Sequence, residues 1–196
     1  ALAINKIFAS TVFKSKNIPT PNFVSIHNME DLENIDMKYP ILIKPSDEGS
    51  SRGIHQDSLV FNKESLEKKV KEELNIYNPP IMLNEYIDGR EFSVGILGND
   101  EDITILPIQE VDLSNLPNNL LKFYSFEIKS YYKSHTQYHI PANLTLEEKT
   151  LIEKAALKAY KSLHLKDYAR VDIILSDGIP YVLEINSLPG LMKNKS

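Results

Sequence analysis

Apolar positions along this chain recur with two different periods, and the switches between them divide it into elements. Ile4, Ile7, Phe8 and Val12 stand near helical spacing and predict an amphipathic helix over Asn5 to Lys16. Asn5 is its N-cap, and Asn17 with Pro19 supplies the stop. Leu66, Val70 and Leu74 form the stripe of a second, charged helix over Lys63 to Leu74. Thr145-Leu146-Glu147-Glu148 reads as a capping box that opens a third helix, running to about Leu163. Short runs predict strands over Asn22 to Ile26, Tyr39 to Pro45 and Ile81 to Ile87, and His55 to Phe61 can form another. Glu91 to Leu97 and Ile103 to Val111 read as a further pair joined at Gly98-Asn99-Asp100, and Glu30 to Ile35 as a short helix. From Asp112 to Tyr138 the pattern dissolves into a polar, Tyr-rich loop, of a length that is commonly functional or disordered. Such a loop can close over a reaction and exclude water.

The clearest β pattern is Ala169 to Leu175 and Tyr181 to Gly190, separated by Ser176-Asp177-Gly178-Ile179-Pro180, which has turn composition and predicts a hairpin. Folding it about Gly178 sets Asp172 opposite Glu184 and Arg170 opposite Asn186. Directly opposed strand residues have Cβ atoms about 4.5–5.5 Å apart, where like charges repel, and a cation between the carboxylates removes that repulsion. Carboxylates with an amide oxygen suit Mg²⁺. Cys is absent from the chain and His from the hairpin, which argues against a softer metal. The plain alternative is a hairpin with a solvated polar face, and a one-residue bulge would break the register.

Strand Tyr39 to Pro45 is apolar until Lys44, and Ser46-Asp47-Glu48-Gly49-Ser50-Ser51-Arg52-Gly53 follows directly. Glycines and small hydroxyl residues let successive backbone N–H groups converge on an anion, and a lysine at the strand end adds a point charge for phosphate. The spacing fits neither a P-loop nor a dinucleotide-binding turn. Lys6, in the first turn of the first helix, is disfavoured there by the helix dipole; it either faces a phosphate or is an ordinary solvated lysine. Ile81 to Ile87 passes into Asp88-Gly89-Arg90-Glu91, a boundary between two lobes that is either a plain strand and turn or a place where exposed backbone meets the edge of a flat base, with Glu91 reaching a ribose.

Composition narrows the partners. The net charge of −5 gives no nucleic-acid or membrane-surface footprint. No apolar run is long enough to span a bilayer. Without cysteine there is no disulfide framework, which is compatible with the cytoplasm. Both ends look cut, so the chain reads as a piece of a larger protein.

Two α+β lobes, the first with lysines and a Gly/Ser loop and the second with a carboxylate hairpin, form a pattern that resembles the ATP-grasp fold. Within that fold it resembles the D-alanine–D-alanine ligase family. The likeness covers nearly all of the chain: Ile41 to Pro45 with Gly49 to Gly53, Glu85 to Glu91, Lys129, Thr136-Gln137-Tyr138, Arg170-Val171-Asp172, and Glu184-Ile185-Asn186 with Pro189-Gly190. It implies mainly antiparallel sheets arranged as a lead-in helix over 1–20, a small lobe over 21–87 and a large lobe over 88–196, truncated at its end. ATP would lie between the lobes, with Lys6 and Lys44 on its phosphates, the Gly49 to Gly53 loop with Gly49 and Ser51 over them, and Lys129 near the γ-phosphate. Backbone from Asn84 through Glu85 and Tyr86 to Ile87 would read adenine, and Glu91 the ribose. Asp172, Glu184 and Asn186 would hold Mg²⁺ or Mn²⁺. Ser50 would orient a first D-alanine, whose carboxylate becomes an acyl phosphate attacked by the amine of a second. Arg170 would stabilise the oxyanion. The resemblance further implies a cytoplasmic enzyme of peptidoglycan synthesis, a homodimer when full length, with small molecules as its substrates.

The chain departs from the family pattern at Asn84, where a glutamate is common, and at Ser130, where a tyrosine follows the loop lysine. The family's serine after Pro-Gly has its nearest candidate in Ser196, and the domain that completes the first amino-acid site is missing. Two other functions therefore stay open: another amino-acid, peptide or ester ligase of the same fold, or a nucleotide-binding module without turnover of its own.

Overall fold

The computed structural model describes residues 3–49 and 51–190, which form two antiparallel sheets that face each other across a cleft. The first sheet is built from β1 (Phe23–Ile26), β2 (Ile41–Pro45), β3 (Leu59–Val60) and β4 (Ile81–Glu85) in the order β1-β4-β2-β3. Helix α2 (Lys63–Ile76) covers one of its faces through Leu66 and Val70, which pack with Ile26, Ile41, Ile43, Ile81 and Leu83. The predicted strand over His55 to Phe61 is mostly absent. Gln56–Ser58 turns as a 3-10 helix, with the Ser58 hydroxyl accepting from the His55 N–H, and only Leu59 and Val60 pair with β2.

The second sheet holds six strands: β5 (Arg90–Asn99), β6 (Asp102–Ile105), β7 (Gln109–Asp112), β8 (Gln137–His139), β9 (Tyr168–Ser176) and β10 (Ile179–Asn186). They run in the order β10-β9-β5-β7-β8, with β6 on β5. The expected single strand over Ile103 to Val111 is two, because Pro107 between them has no N–H to donate to a ladder. Helix α4 (Leu146–Ser162), opened by the capping box at Thr145, lays Ile152, Ala155, Ala156, Ala159 and Tyr160 on the far face of this sheet. Helix α1 (Lys6–Ser15) packs there too, through Ala9 and Phe13. The chain then leaves along β10, where Val182 N–H donates to Pro19 O at 2.8 Å and Thr20 Oγ1 to Val182 O at 2.9 Å. The segment expected to be structureless after Asp112 is ordered into α3 (Phe126–Tyr131), a 3-10 turn over Lys133–His135 and β8. Its core is a small cluster of Leu113, Leu116 and Ile128, too irregularly spaced to show a period.

Between the sheets the chain turns at Asp88-Gly89, and Gly89 lies so close to β9 that an added Cβ would overlap the Leu175 carbonyl oxygen and come within 2.7 Å of Ile174 Cγ2. Gly89→Ala is expected to destabilise the protein by about 2 kcal/mol, read as a fall in thermal midpoint. An unchanged midpoint would mean that this crossing has slack.

Candidate functional site

The cleft is floored by the open face of the second sheet. Along β9, Ala169, Val171, Ile173 and Leu175 go to the core, and Arg170, Asp172 and Ile174 therefore face the cleft. In β10, Val182 and Ile185 are both core residues although an even number of residues separates them. A β-bulge between Val182 and Glu184 resolves this: Leu183 and Glu184 both face the cleft, and Glu184 comes opposite Asp172 with Asn186 opposite Arg170. The expected pairing is thus present by a different route. The hairpin turns on two residues, Asp177 and Gly178, both at positive φ (48° and 75°), and the bulge that was expected to break the register creates it.

These acids converge. Asn186 Nδ2 donates to Asp172 Oδ2 at 3.0 Å and to Glu184 Oε1 at 3.2 Å, so a single small group bridges the two carboxylates. Arg170 grips Asp172 with two bonds of 2.8 Å, and Ser93 of β5 donates to Asp172 Oδ1 at 2.7 Å. Lys6 reaches in from the tip of α1, 3.7 Å from Glu184 Oε2, and also donates to Glu48 O. That lysine is buried, so its reading as an ordinary solvated lysine does not hold. Lys44, across the cleft on β2, is buried too, and no acceptor meets its ammonium among the described residues.

The electrostatics follow from this crowding. Burial, reinforced by Lys6 and partly offset by Glu184, lowers the Lys44 pKa to about 8. Burial also lowers Lys129, with Arg170 adding to the effect. Burial, with Glu184 adding to it, raises Asp172 against the pull of Arg170, whereas at Glu184 burial is outweighed by Lys6 and Lys44 together with Asn186 and Arg170, which hold its carboxyl below the usual range. Glu91, on the cleft face of β5, is pushed up to about 8 by burial and then by Asp172 and Glu184. A raised folded-state pKa means the stability from neutral Glu91 is complete below about pH 4.5 and is lost as pH rises through about 8. Glu91→Gln is therefore expected to leave the thermal midpoint unchanged at pH 4.5 and to raise it at pH 8, by roughly 1–3 kcal/mol of stability. A variant with the parent's pH dependence would show that Glu91 ionises freely.

The cleft brings together nearly every residue singled out from the sequence. Lys6, Lys44, Ser51, Glu85, Tyr86, Ile87, Glu91, Lys129, Arg170, Asp172 and Glu184 line it, and Asn186 joins through its bonds to the acids. Gly49 is not among the lining residues, and Ser50 and Ser196 lie outside the described residues. Sequence reasoning missed Ser93, although it shares the face of Glu91 by simple alternation. It also missed an apolar wall of Leu42, Ile174 and Leu183, and it gave no place in the site to Phe123, Tyr124 and Tyr138, the aromatic cover that the Tyr-rich stretch supplies. Tyr124 and Tyr138 join hydroxyls at 2.8 Å, and burial pushes the Tyr124 phenol up. Asn84, buried in β4 opposite Leu42, turns an Oδ1 without a hydrogen-bond partner among the described residues, and it too lines the cleft.

Two facing antiparallel lobes with basic residues and a carboxylate hairpin between them define the ATP-grasp class of fold. Solved structures agree: VanG D-Ala:D-Ser ligase from Enterococcus faecalis superposes with a TM-score of 0.79 at 25% identity, over all of this chain and 55% of that one. The D-alanine–D-alanine ligase from Bacillus anthracis complexed with ATP gives 0.75 at 24%, over all of this chain and 58% of that one. The family model for the D-ala D-ala ligase C-terminus matches residues 12–195, and the chain belongs to that family. The D-alanine–D-alanine ligase of Methylacidiphilum infernorum is 37% identical over 190 residues, 96% of this chain and 57% of that protein. The chain spans about half the length of the curated relatives it matches.

Proposed function

We propose that this chain is the nucleotide-binding and acyl-activating part of an ATP-dependent ligase that joins two D-alanines for peptidoglycan synthesis. The observation that carries the reading is the meeting of Lys6, Lys44, Lys129 and Arg170 with Asp172, Glu184 and Asn186 in one cleft of a family member. Lys6 and Lys44 take the phosphates of ATP, the Gly49 to Gly53 loop covers them, and Lys129 meets the γ-phosphate. Leu42, Ile174 and Leu183 sandwich the base, the backbone of Glu85, Tyr86 and Ile87 reads its edge, and the free Asn84 oxygen accepts from its amino group. Glu91 takes the ribose. Ser50 orients the first amino acid, whose carboxylate attacks the γ-phosphate to give an acyl phosphate as the bond to the β-phosphate breaks and ADP leaves. Arg170 then stabilises the oxyanion formed when the second amine adds, which collapses to the amide as inorganic phosphate leaves and the amine gives up its proton.

The donor set between the strands fits Mg²⁺ or Mn²⁺: two carboxylates, with an asparagine amide that presents its oxygen after a half-turn. Asp172, Glu184 and Asn186 would hold the ion, which supplies charge neutralisation on the phosphates. The residues around it do the remaining work, Lys6 keeping Glu184 ionised and Ser93 orienting Asp172. The reaction belongs in the cytoplasm, where its ATP is made, with the full-length enzyme as a homodimer. Among the described residues no helix is long and apolar enough to cross a membrane.

ADP release from ATP by the full-length protein tests the assignment. Release stimulated by D-alanine supports it. Stimulation only by other amino acids favours a different ligase of the same fold, a reading to which Ser130 in the place of the family's tyrosine lends weight. ATP binding without release under any substrate leaves a binding module.

A further inference from the structure

Outside the residues that line the cleft, one side chain joins the two lobes more closely than any other described here. Gln56 sits in the 3-10 turn that follows the Gly/Ser loop. Its Oε1 accepts from Leu121 N at 2.7 Å, and its Nε2 donates to Leu121 O at 3.2 Å and to Ser125 Oγ at 3.1 Å. One side-chain amide thus takes both backbone groups of Leu121, as a neighbouring strand would. Adjacent contacts continue the seam: Phe126 N–H donates to Ile54 O at 2.8 Å, and His55 Nδ1 lies 2.7 Å from Glu127 Oε1. The segment fastened in this way carries Phe123, Tyr124 and Lys129, all of which line the cleft, whereas Gln56 does not.

We infer that Gln56 is a positioning residue: its amide straps the Leu121 to Lys129 segment of the second lobe to the phosphate-loop side of the first and so sets how fast nucleotide leaves. The inference rests on the nucleotide reading of the cleft. The strap releases the segment only when three hydrogen bonds break together, which makes it a latch on a lid rather than a part of the site.

The test uses Gln56→Ala and Gln56→Glu in the full-length protein, with stopped-flow release of a fluorescent ATP analogue, hydrogen exchange and thermal midpoint. Gln56→Ala is expected to release the analogue about tenfold faster, with faster exchange confined to residues 113–136 and the midpoint within a few degrees of the parent. Gln56→Glu keeps the acceptor for Leu121 N but sets a carboxylate oxygen against the Leu121 carbonyl, so it shifts release in the same direction, and it decides the matter if the alanine variant does not fold. Unchanged release in the folded variants overturns the inference and leaves the nucleotide site standing. Exchange that rises equally in α4 makes Gln56 a general stabiliser and also overturns it. A parent protein that binds no analogue overturns both readings.

Discussion

Asp172→Asn and Glu184→Gln are each expected to cut Mg²⁺-dependent ADP release by the full-length protein about 10³-fold, since a lost metal ligand removes several kcal/mol of transition-state stabilisation. The melting temperature should barely move, because each substitution keeps the shape of the side chain. At Asp172 the amide still accepts from Ser93 or Arg170, and at Glu184 it still faces Asn186. Stability is even expected to gain slightly in Asp172→Asn, which removes the carboxylate that most crowds Glu91, whereas Glu184→Gln gives up the attraction of Lys6 and Lys44 and gains nothing. Turnover near the parent's rate in either variant would remove that residue from the ion's coordination.

Lys44→Met is expected to weaken ATP binding about 10–100-fold by calorimetry, the loss that follows when a charged donor disappears from a buried contact. The same change should make the nucleotide-free protein more heat-stable, because the lysine is buried without an acceptor among the described residues. Its folded-state pKa of about 8 also sets a pH signature. The parent protein must take up a proton to bind phosphate above that pH, so its Kd should rise by up to about tenfold per pH unit there. Lys44→Met should abolish that slope. Equal slopes in parent and variant would assign the proton to another group, and unchanged affinity would take the phosphate from Lys44.

The fold class was legible because its strongest signals are local. The caps at Asn5 and Thr145 and the apolar stripes of α1, α2 and α4 are each written in a few neighbouring residues. What was misread depends on contacts that no local period carries. Leu59 and Val60 are all that remain of the expected strand, because His55 and Gln56 are drawn into bonds with the distant Glu127 and Leu121. The tyrosine-rich stretch is ordered by a core of only a few side chains. The bulge had a signal in the sequence, Val182-Leu183-Glu184-Ile185, where strict alternation would drive Glu184 into the core and expose Ile185. Read that way, the phase slip points to Leu183 as a cleft residue. Asn186 bridging both acids could not have been read in advance, since it depends on side-chain rotation within a formed site.

Helix α1 belongs by its packing to the second sheet, yet the whole first sheet lies between it and β5 along the chain. The small lobe is therefore an insertion inside the large one. Its own ladders all close between Phe23 and Glu85, although β1 and β2 must each wait for β4, whereas the larger core must also bring α1 onto β10 across the whole insertion, at the entropic cost of a longer loop. Assembly should accordingly begin with the inserted lobe. Damage to the opening residues should be felt at the far end of the chain, along β10, where Pro19 and Thr20 cover the strand edge that carries Glu184.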